Sequence, residues 1–219
     1  MRCALLGWLA LCLAAVSTAP AGAGQQPPTA VGEPRTAAVP AAARALARWA
    51  HDSGDHLGLP YVVVDKRAAV LAAYRADGSL VGVSAALIGR TPGDASLTGV
   101  GERTQQQGLR PEDLTTPAGR FVSEPGRNLD GEAVIWIDYG HALAIHRLRP
   151  GPAWAQRAQR LAGSDAAARR MSAGCVVLPE RFYDQVVRPL LGRGRGVVYV
   201  LPESGSLPAA AQAAFARRR

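Results

Sequence analysis

The chain has 219 residues, a length that suits one domain with tails, and it carries a formal net charge of +8 at pH 7. Such a charge can serve nucleic-acid binding, but no basic patch is interleaved with aromatic residues, so we predict no nucleic-acid partner. An anionic cell envelope is a better match for this charge.

Residues 1–23 are predicted to be a cleaved export signal. Arg2 precedes an almost entirely apolar stretch at 4–16, and Ala21-Gly22-Ala23 offers small residues for cleavage. This stretch is shorter than the roughly 20 residues of a membrane span. We therefore predict an exported protein of the periplasm or cell envelope, with no stable membrane insertion after cleavage. Lipid attachment at Cys12 is a weaker alternative, because Leu11 before it is not small.

The chain after the signal divides into four predicted parts. Residues 24–39 are rich in Pro, Ala, Gly and Gln without periodicity, which indicates a disordered linker. An N-terminal helix is predicted over 40–56, beginning at Pro40. Residues 57–203 form the main domain, and 204–219 form a basic tail with a helix that ends in three arginines.

Strand-like segments dominate the main domain, which predicts a mainly β fold with short peripheral helices. A β-branched run at 61–65 and the turn Asp77-Gly78 indicate a β-meander. A long polar loop is predicted at 89–113, where a lid or binding flap is typical. The predicted strands are 61–65, 69–74, 80–88, 120–124, 133–139, 142–147 and 197–201, and further helices are predicted at 154–161 and 179–191.

Cys175 is the one cysteine outside the predicted signal, since Cys3 and Cys12 lie within it. A secreted chain with a single cysteine has no partner for a disulfide, which favours a reactive thiol over a buried hydrophobe. Gly174 before it permits close backbone approach, and a helix predicted to begin near Pro179 would lower the pKa of the thiol.

A cysteine nucleophile needs a base, and the chain has 4 histidines. His51 and His56 are predicted to be surface residues. His141 and His146 are five positions apart, so on a regular strand they would point to opposite faces. We predict that His146, at the end of an apolar strand, is the base, and that His141 is exposed in a turn.

The remaining site predictions concern the residues just before the cysteine. The backbone N–H groups of Gly174 and Cys175 are predicted to hold the oxyanion. Ser172 either orients the imidazole by a hydrogen bond or is an ordinary turn serine. One cysteine and scattered histidines do not make a metal site, so we predict neither a metal nor another cofactor.

Three segments resemble a known family. Ser172-Ala173-Gly174-Cys175-Val176 is similar to the Ser-x-Gly-Cys signature of L,D-transpeptidases with a YkuD-type catalytic domain. His146 at a strand end is similar to that family's base. Thr116-Pro117-Ala118-Gly119-Arg120-Phe121 resembles the family's Thr-Pro-x-Gly-x-Phe segment.

The resemblance implies a β-rich mixed sheet or sandwich as the catalytic domain, with peptidoglycan stem peptides as substrate. The implied reaction begins with attack of Cys175 on the L-centre of the third stem residue and loss of the terminal D-Ala. The thioester then passes to an amine, giving a 3→3 cross-link or amino-acid exchange. Such enzymes are typically acylated by carbapenems.

The chain departs from the family pattern at three places. The family often has His where this chain has Ala173, and Arg or Asn where it has Val177. The gap between His146 and Ser172 is also long, and the predicted helix at 154–161 lies within it.

Other functions remain open. An L,D-carboxypeptidase would use the same scaffold and substrate with water as acceptor, and a catalytically silent envelope-binding protein would keep only the fold. A papain-like peptidase fits least, because its cysteine precedes its histidine along the chain.

Overall fold

The protein is described here by a computed structural model that covers residues 38–151 and 153–204. The predicted export signal lies outside the described residues, as do nearly all of the predicted linker and the basic tail.

The order of elements mixes short helices into a chain of strands. The strands are β1 (Tyr61–Asp65), β2 (Val70–Tyr74), β3 (Leu80–Ala85), β4 (Ile88–Gly89), β5 (Gly119–Arg127), β6 (Ala133–Asp138), β7 (Leu143–Arg147), β8 (Arg170–Ser172), β9 (Val176–Leu178) and β10 (Gly196–Val200). The α-helices are α1 (Ala41–Asp52), α2 (Val100–Gln105), α3 (Trp154–Ala162), α4 (Glu180–Phe182) and α5 (Arg188–Leu191), with a π-helical turn at Tyr183–Val187 and 3-10 turns at Pro111–Asp113 and Ala167–Arg169.

Eight strands form one mixed sheet in the order β3-β2-β1-β10-β5-β6-β7-β9, and β4 pairs with β8 apart from it. The predicted mainly β fold is confirmed. β1 and β10 lie in the middle of the sheet and pair in parallel, and all of their residues are buried. Because both faces of these strands are covered, their β-branched residues need not alternate with polar ones.

The two faces of the sheet carry separate hydrophobic clusters. On one face α1 buries Leu46, Ala47 and Ala50 against Tyr61 and Tyr199. On the other face the π turn and α5 cover the centre of the sheet with Tyr183, Val187 and Leu191. The helices predicted at 40–56 and 179–191 therefore supply the layers that cover the two faces of the sheet.

The sequence prediction missed the short strands β8 and β9, and β9 positions the thiol. β9 pairs in parallel with β7, so that Ile145 lies opposite Val176 and His146 lies opposite Val177. Cys175 directly precedes β9. The 154–161 helix, by contrast, was predicted, and α3 occupies the connection between the two paired strands.

The predicted polar loop at 89–113 is not structureless, because it contains α2 and a 3-10 turn. Two ion pairs close it onto itself: the carboxylate of Asp113, which is buried, accepts from Arg103 at 2.5 Å and from Arg110 at 3.2 Å. The guanidinium groups lower the pKa of Asp113 well below its usual range. These two arginines therefore hold the loop together.

Lys66 ties this loop to the main sheet. Its side chain is 1% exposed, and the ammonium donates to the Gly93 carbonyl at 2.5 Å, to Asp94 at 2.6 Å and to the Thr116 carbonyl at 3.0 Å. Glu203 lies 3.5 Å from the same ammonium. A buried lysine is rare unless it is paired, and here its partners fix the two ends of the loop beside the start of β5.

Candidate active site

A tight turn presents Cys175, and the hydroxyl of Ser172 closes it. Ser172 Oγ donates to the Cys175 carbonyl at 2.6 Å and accepts from the Gly174 N–H at 3.1 Å. Gly174 has φ of +125°, and a Cβ there would lie 2.9 Å from the Thr115 carbonyl oxygen. Only glycine meets both conditions, so the Gly before the cysteine is needed for the shape of the turn.

Thr116 fixes this turn to the loop on the other side. Its hydroxyl donates to the Gly174 carbonyl at 2.6 Å and accepts from the Gly89 N–H at 2.8 Å. One buried hydrogen bond, between residues 58 positions apart, thus joins the Thr-Pro-x-Gly-x-Phe segment that begins at Thr116 to the segment that contains the cysteine.

Thr116→Val should lower the free energy of unfolding by about 2 kcal/mol, because it leaves a buried N–H and a buried carbonyl without their partner while the volume stays the same. It should also slow acylation of Cys175, because the turn loses its anchor. Chemical denaturation and the rate of thiol labelling measure the two effects.

The matched control is Thr115→Val. The Thr115 hydroxyl makes only long hydrogen bonds, of 3.2 and 3.4 Å, to the carbonyls of Thr91 and Glu112. We expect this change to cost less than about 1 kcal/mol. Equal losses in the two variants would contradict an anchoring role for Thr116.

Cys175 carries a free thiol that is half-buried. It donates to the Ala142 carbonyl at 3.5 Å. Burial raises the pKa of the thiol, while a main-chain hydrogen bond from Ala144 and the charges of Arg149 and Arg157 act to lower it. The resting group is therefore a thiol that needs a base.

The predicted activation of Cys175 by a helix N-terminus is wrong. The helix α4 begins at Glu180, and strand β9 separates it from the cysteine. The field of a helix end falls off within a turn, so burial outweighs it and the pKa rises.

His146 lies on the strand next to the cysteine. The pairing of β7 with β9 sets His146 opposite Val177, so these two side chains point to the same side of the sheet, and Cys175 precedes β9 by one residue. The Nδ1 atom of His146 lies 2.8 Å from the Arg147 carbonyl oxygen. Because a carbonyl only accepts, Nδ1 carries the proton and Nε2 keeps its lone pair.

The pKa of His146 is lowered to about 4, chiefly by burial, with the charges of Arg149 and Arg157 acting in the same direction and the bond to Arg147 opposing them. Its imidazole is therefore neutral near pH 7. A neutral imidazole with a free Nε2 can accept a proton from a thiol.

His141 also lies close to the cysteine, which the sequence analysis did not predict. It lies in a turn, as predicted, before β7, and Ala142 there has φ of +52°, so the alternation of a regular strand does not apply to it. The Nδ1 atom of His141 lies 2.8 Å from an Asp138 carboxylate oxygen, and the His141 side chain is 35% exposed. His141 and Cys175 line the same cavity.

This cavity, of about 70 Å³, lies between the cysteine turn and the loop that contains α2. The helix α2 approaches the 138–142 turn closely, since a Cβ on Gly101 would lie 2.2 Å from the Gly140 carbonyl oxygen. A space of this size holds a few water molecules or a short side chain. Its further lining comes from Ser96, Leu97, Thr104, Leu109, Pro117 and Ala173.

Two predicted roles differ from the geometry. The Gly174 N–H donates to Ser172 Oγ, so it is engaged in the turn rather than pointing at an oxyanion. Ser172 donates to the Cys175 carbonyl, so it shapes the turn and does not orient His146. Both differences have one cause: the turn is tight, so the Ser172 hydroxyl reaches the backbone of the residues two and three positions after it.

Within residues 38–151 and 153–204, no group of three or more His, Cys, Asp or Glu side chains is arranged to hold a metal ion. No helix in this part of the chain has the length and apolar character to cross a membrane.

Comparison with known proteins gives structural likeness only. No protein-family model matches the chain, and no curated protein sequence matches it. The chain is similar to the catalytic domain of the E. faecium L,D-transpeptidase, with 22% identity and a TM-score of 0.34 over 65% of this chain and 96% of that one.

Two further solved structures are similar over part of their length. Mycobacterium tuberculosis L,D-transpeptidase 1 shares 12% identity with a TM-score of 0.37, over 65% of this chain and 60% of that one. The helical cell shape determining protein Pgp2 from Campylobacter jejuni shares 15% identity with a TM-score of 0.45, over 72% of this chain and 52% of that one. This chain thus spans less than two thirds of both proteins. With TM-scores below 0.5, the functional proposal depends on the residues of this chain.

Proposed function

We propose that the chain is an exported cysteine acyltransferase of the L,D-transpeptidase type that acts on peptidoglycan stem peptides. The observation that carries the proposal is the convergence of three segments on one thiol. Thr116 is hydrogen-bonded to Gly174, and the pairing of β7 with β9 sets His146 opposite Val177, two residues after Cys175. These are the segments whose sequence resembles the family.

The reaction uses the neutral thiol and the neutral imidazole. Nε2 of His146 takes the proton from Cys175 Sγ, and the sulfur attacks the carbonyl carbon at the L-centre of the third stem residue. When the tetrahedral intermediate collapses, the bond to the terminal D-Ala breaks, and His146 returns the proton to the leaving amine. The amine of a second stem then attacks the thioester, and the thiol is restored.

The main-chain N–H of Cys175 is the oxyanion donor in this proposal, because the Gly174 N–H is engaged by Ser172. The loop that carries α2 covers the cavity beside the thiol. Its ion pairs at Asp113 keep it folded, so it forms a wall against which a stem peptide can lie.

The high pKa of the thiol favours one alternative, the silent envelope-binding protein, because a protonated and half-buried sulfur without a working base does not react. An L,D-carboxypeptidase differs from the proposal only in the acceptor. A single assay distinguishes the transpeptidase, the carboxypeptidase and the silent binding protein.

Purified mature protein is incubated with a tetrapeptide muropeptide, and the products are resolved by mass spectrometry. We expect release of D-Ala and formation of a dimer with a 3→3 link. Release of D-Ala with only the tripeptide would make the protein an L,D-carboxypeptidase. No release, together with a titratable thiol, would contradict catalysis on this substrate.

A further inference from the structure

Helix α3 lies over the strands that carry the candidate catalytic residues. Ala158 and Leu161 on this helix pack with Leu148 and Val177 in a small hydrophobic cluster. Arg157 precedes Leu161 by four positions, so it lies on the same stripe of the helix. This places Arg157 over the face of the sheet that carries Val177 and His146.

Arg157 is half-buried, and its Nε atom is fully buried without a hydrogen-bond partner. Within the residues that the structure describes, no ion pair includes it. The other arginine whose charge acts on the thiol is neutralised: Arg149 pairs with Asp130 at 3.2 Å and with Glu132. Arg157 is therefore an uncompensated positive charge beside the reactive sulfur.

The electrostatics agree with this placement. Burial and the charge of Arg149 lower the pKa of Arg157, while Cys175 acts to raise it. A half-buried guanidinium without a counterion is unfavourable in the free protein. Burial of the guanidinium becomes favourable when a ligand supplies a carboxylate, because the two carboxylate oxygens can accept two parallel N–H hydrogen bonds from it.

Val177 supplies no polar group on this face of the sheet. This position, two after the cysteine, is apolar here, and its side chain packs under α3 with Leu161. No polar group can reach a substrate from Val177. Arg157, which lies in the segment inserted between His146 and the cysteine turn, brings a cation to the same neighbourhood.

We propose that Arg157 binds the free α-carboxylate of the residue that leaves during acylation, and that this contact restricts the enzyme to the last peptide bond of a chain. This inference rests on the proposed function, because the leaving residue is the terminal D-amino acid of the stem peptide. In that residue the carboxylate lies next to the leaving nitrogen, and thus close to the thiol.

The first experiment tests the anion site without catalysis. Cys175 is alkylated with iodoacetate and with iodoacetamide, which differ in the carboxylate, and the ratio of the two rates cancels changes in thiol reactivity. We expect Arg157→Gln to lower the iodoacetate-to-iodoacetamide ratio by about 10-fold. Arg160→Gln, which removes the same charge from an exposed position of the same helix, should leave the ratio unchanged. An unchanged ratio in Arg157→Gln would overturn the proposal.

The second experiment uses the substrate. The wild type should release the terminal residue from a tetrapeptide acid about 10- to 100-fold faster than from its C-terminal amide. Arg157→Gln should lose this preference by slowing only the acid, and Arg157→Lys should retain part of it. If the preference for the acid survives in Arg157→Gln, the assignment is wrong.

A control peptide with lysine as third residue identifies which carboxylate is bound, because lysine lacks the side-chain carboxylate of diaminopimelate. We expect the effect of Arg157→Gln to persist with this peptide. Its disappearance would move the contact to the third residue and overturn the assignment to the leaving residue. Failure of the wild type on every peptide, with the alkylation ratio still dependent on Arg157, would contradict the proposed function and leave the anion site supported.

Discussion

Cys175→Ala should abolish acylation of the mature protein by a carbapenem. In the wild type we expect one adduct per chain, because the described residues contain a single thiol and the strand that follows it pairs with the strand of His146. The adduct should be absent from the variant, since alanine offers no nucleophile. Intact-protein mass spectrometry measures the stoichiometry directly.

The same samples provide the controls. The thermal unfolding midpoint of Cys175→Ala should stay within a few degrees of the wild type, because the turn is held by Ser172 and Thr116 and not by the sulfur. An adduct that persists in the variant would place the nucleophile elsewhere. A wild type that stays unmodified although its thiol can be titrated would favour the silent binding protein.

The central strands were predictable because their β-branched and apolar residues favour a buried strand over a helix. The run Tyr61-Val62-Val63-Val64 is fully buried in β1, and no helix accommodates so many adjacent β-branched residues easily. The glycine before the cysteine was also predictable as a position of close approach. In the structure its φ and its distance to the Thr115 carbonyl oxygen give the reason.

The strands β8 and β9 were not predictable, because each has only three residues and no period can be recognised over that length. Their pairing depends on partners that lie far away in sequence. The register between β7 and β9, which determines what lies beside Cys175, is therefore a tertiary property. The Ser172 hydroxyl is similar: a turn serine and an orienting serine look alike until its acceptor is known.

His141 lies in the predicted turn and is partly exposed, but its place beside the thiol was not predictable, for a local reason. A non-glycine residue at positive φ is uncommon, and Ala142 gives no sign of it in the sequence. This left-handed residue turns the chain so that His141 enters the cavity of Cys175. In the described part of the chain, His141 thus lines the cavity of Cys175 and His146 lies in the strand paired with β9, each with its Nδ1 hydrogen-bonded.

We expect His146→Ala to slow acylation by about 10²- to 10⁴-fold, the usual range for loss of a general base, and His141→Ala to slow it by about 10-fold or less. The reason is that His146 is neutral and lies opposite Val177 in the strand paired with the one that follows Cys175, whereas His141 is bound to Asp138. Asp138→Asn should then resemble His141→Ala.

The pH dependence gives a second measure of the same assignment. The base must be neutral, and the pKa of His146 is about 4, so the rate of acylation should hold as pH falls to about 5 and decrease as pH passes through 4. Stopped-flow or quenched mass spectrometry gives this profile. If His141→Ala and Asp138→Asn cost more than His146→Ala, the base is His141, held by Asp138 beside the cavity of Cys175.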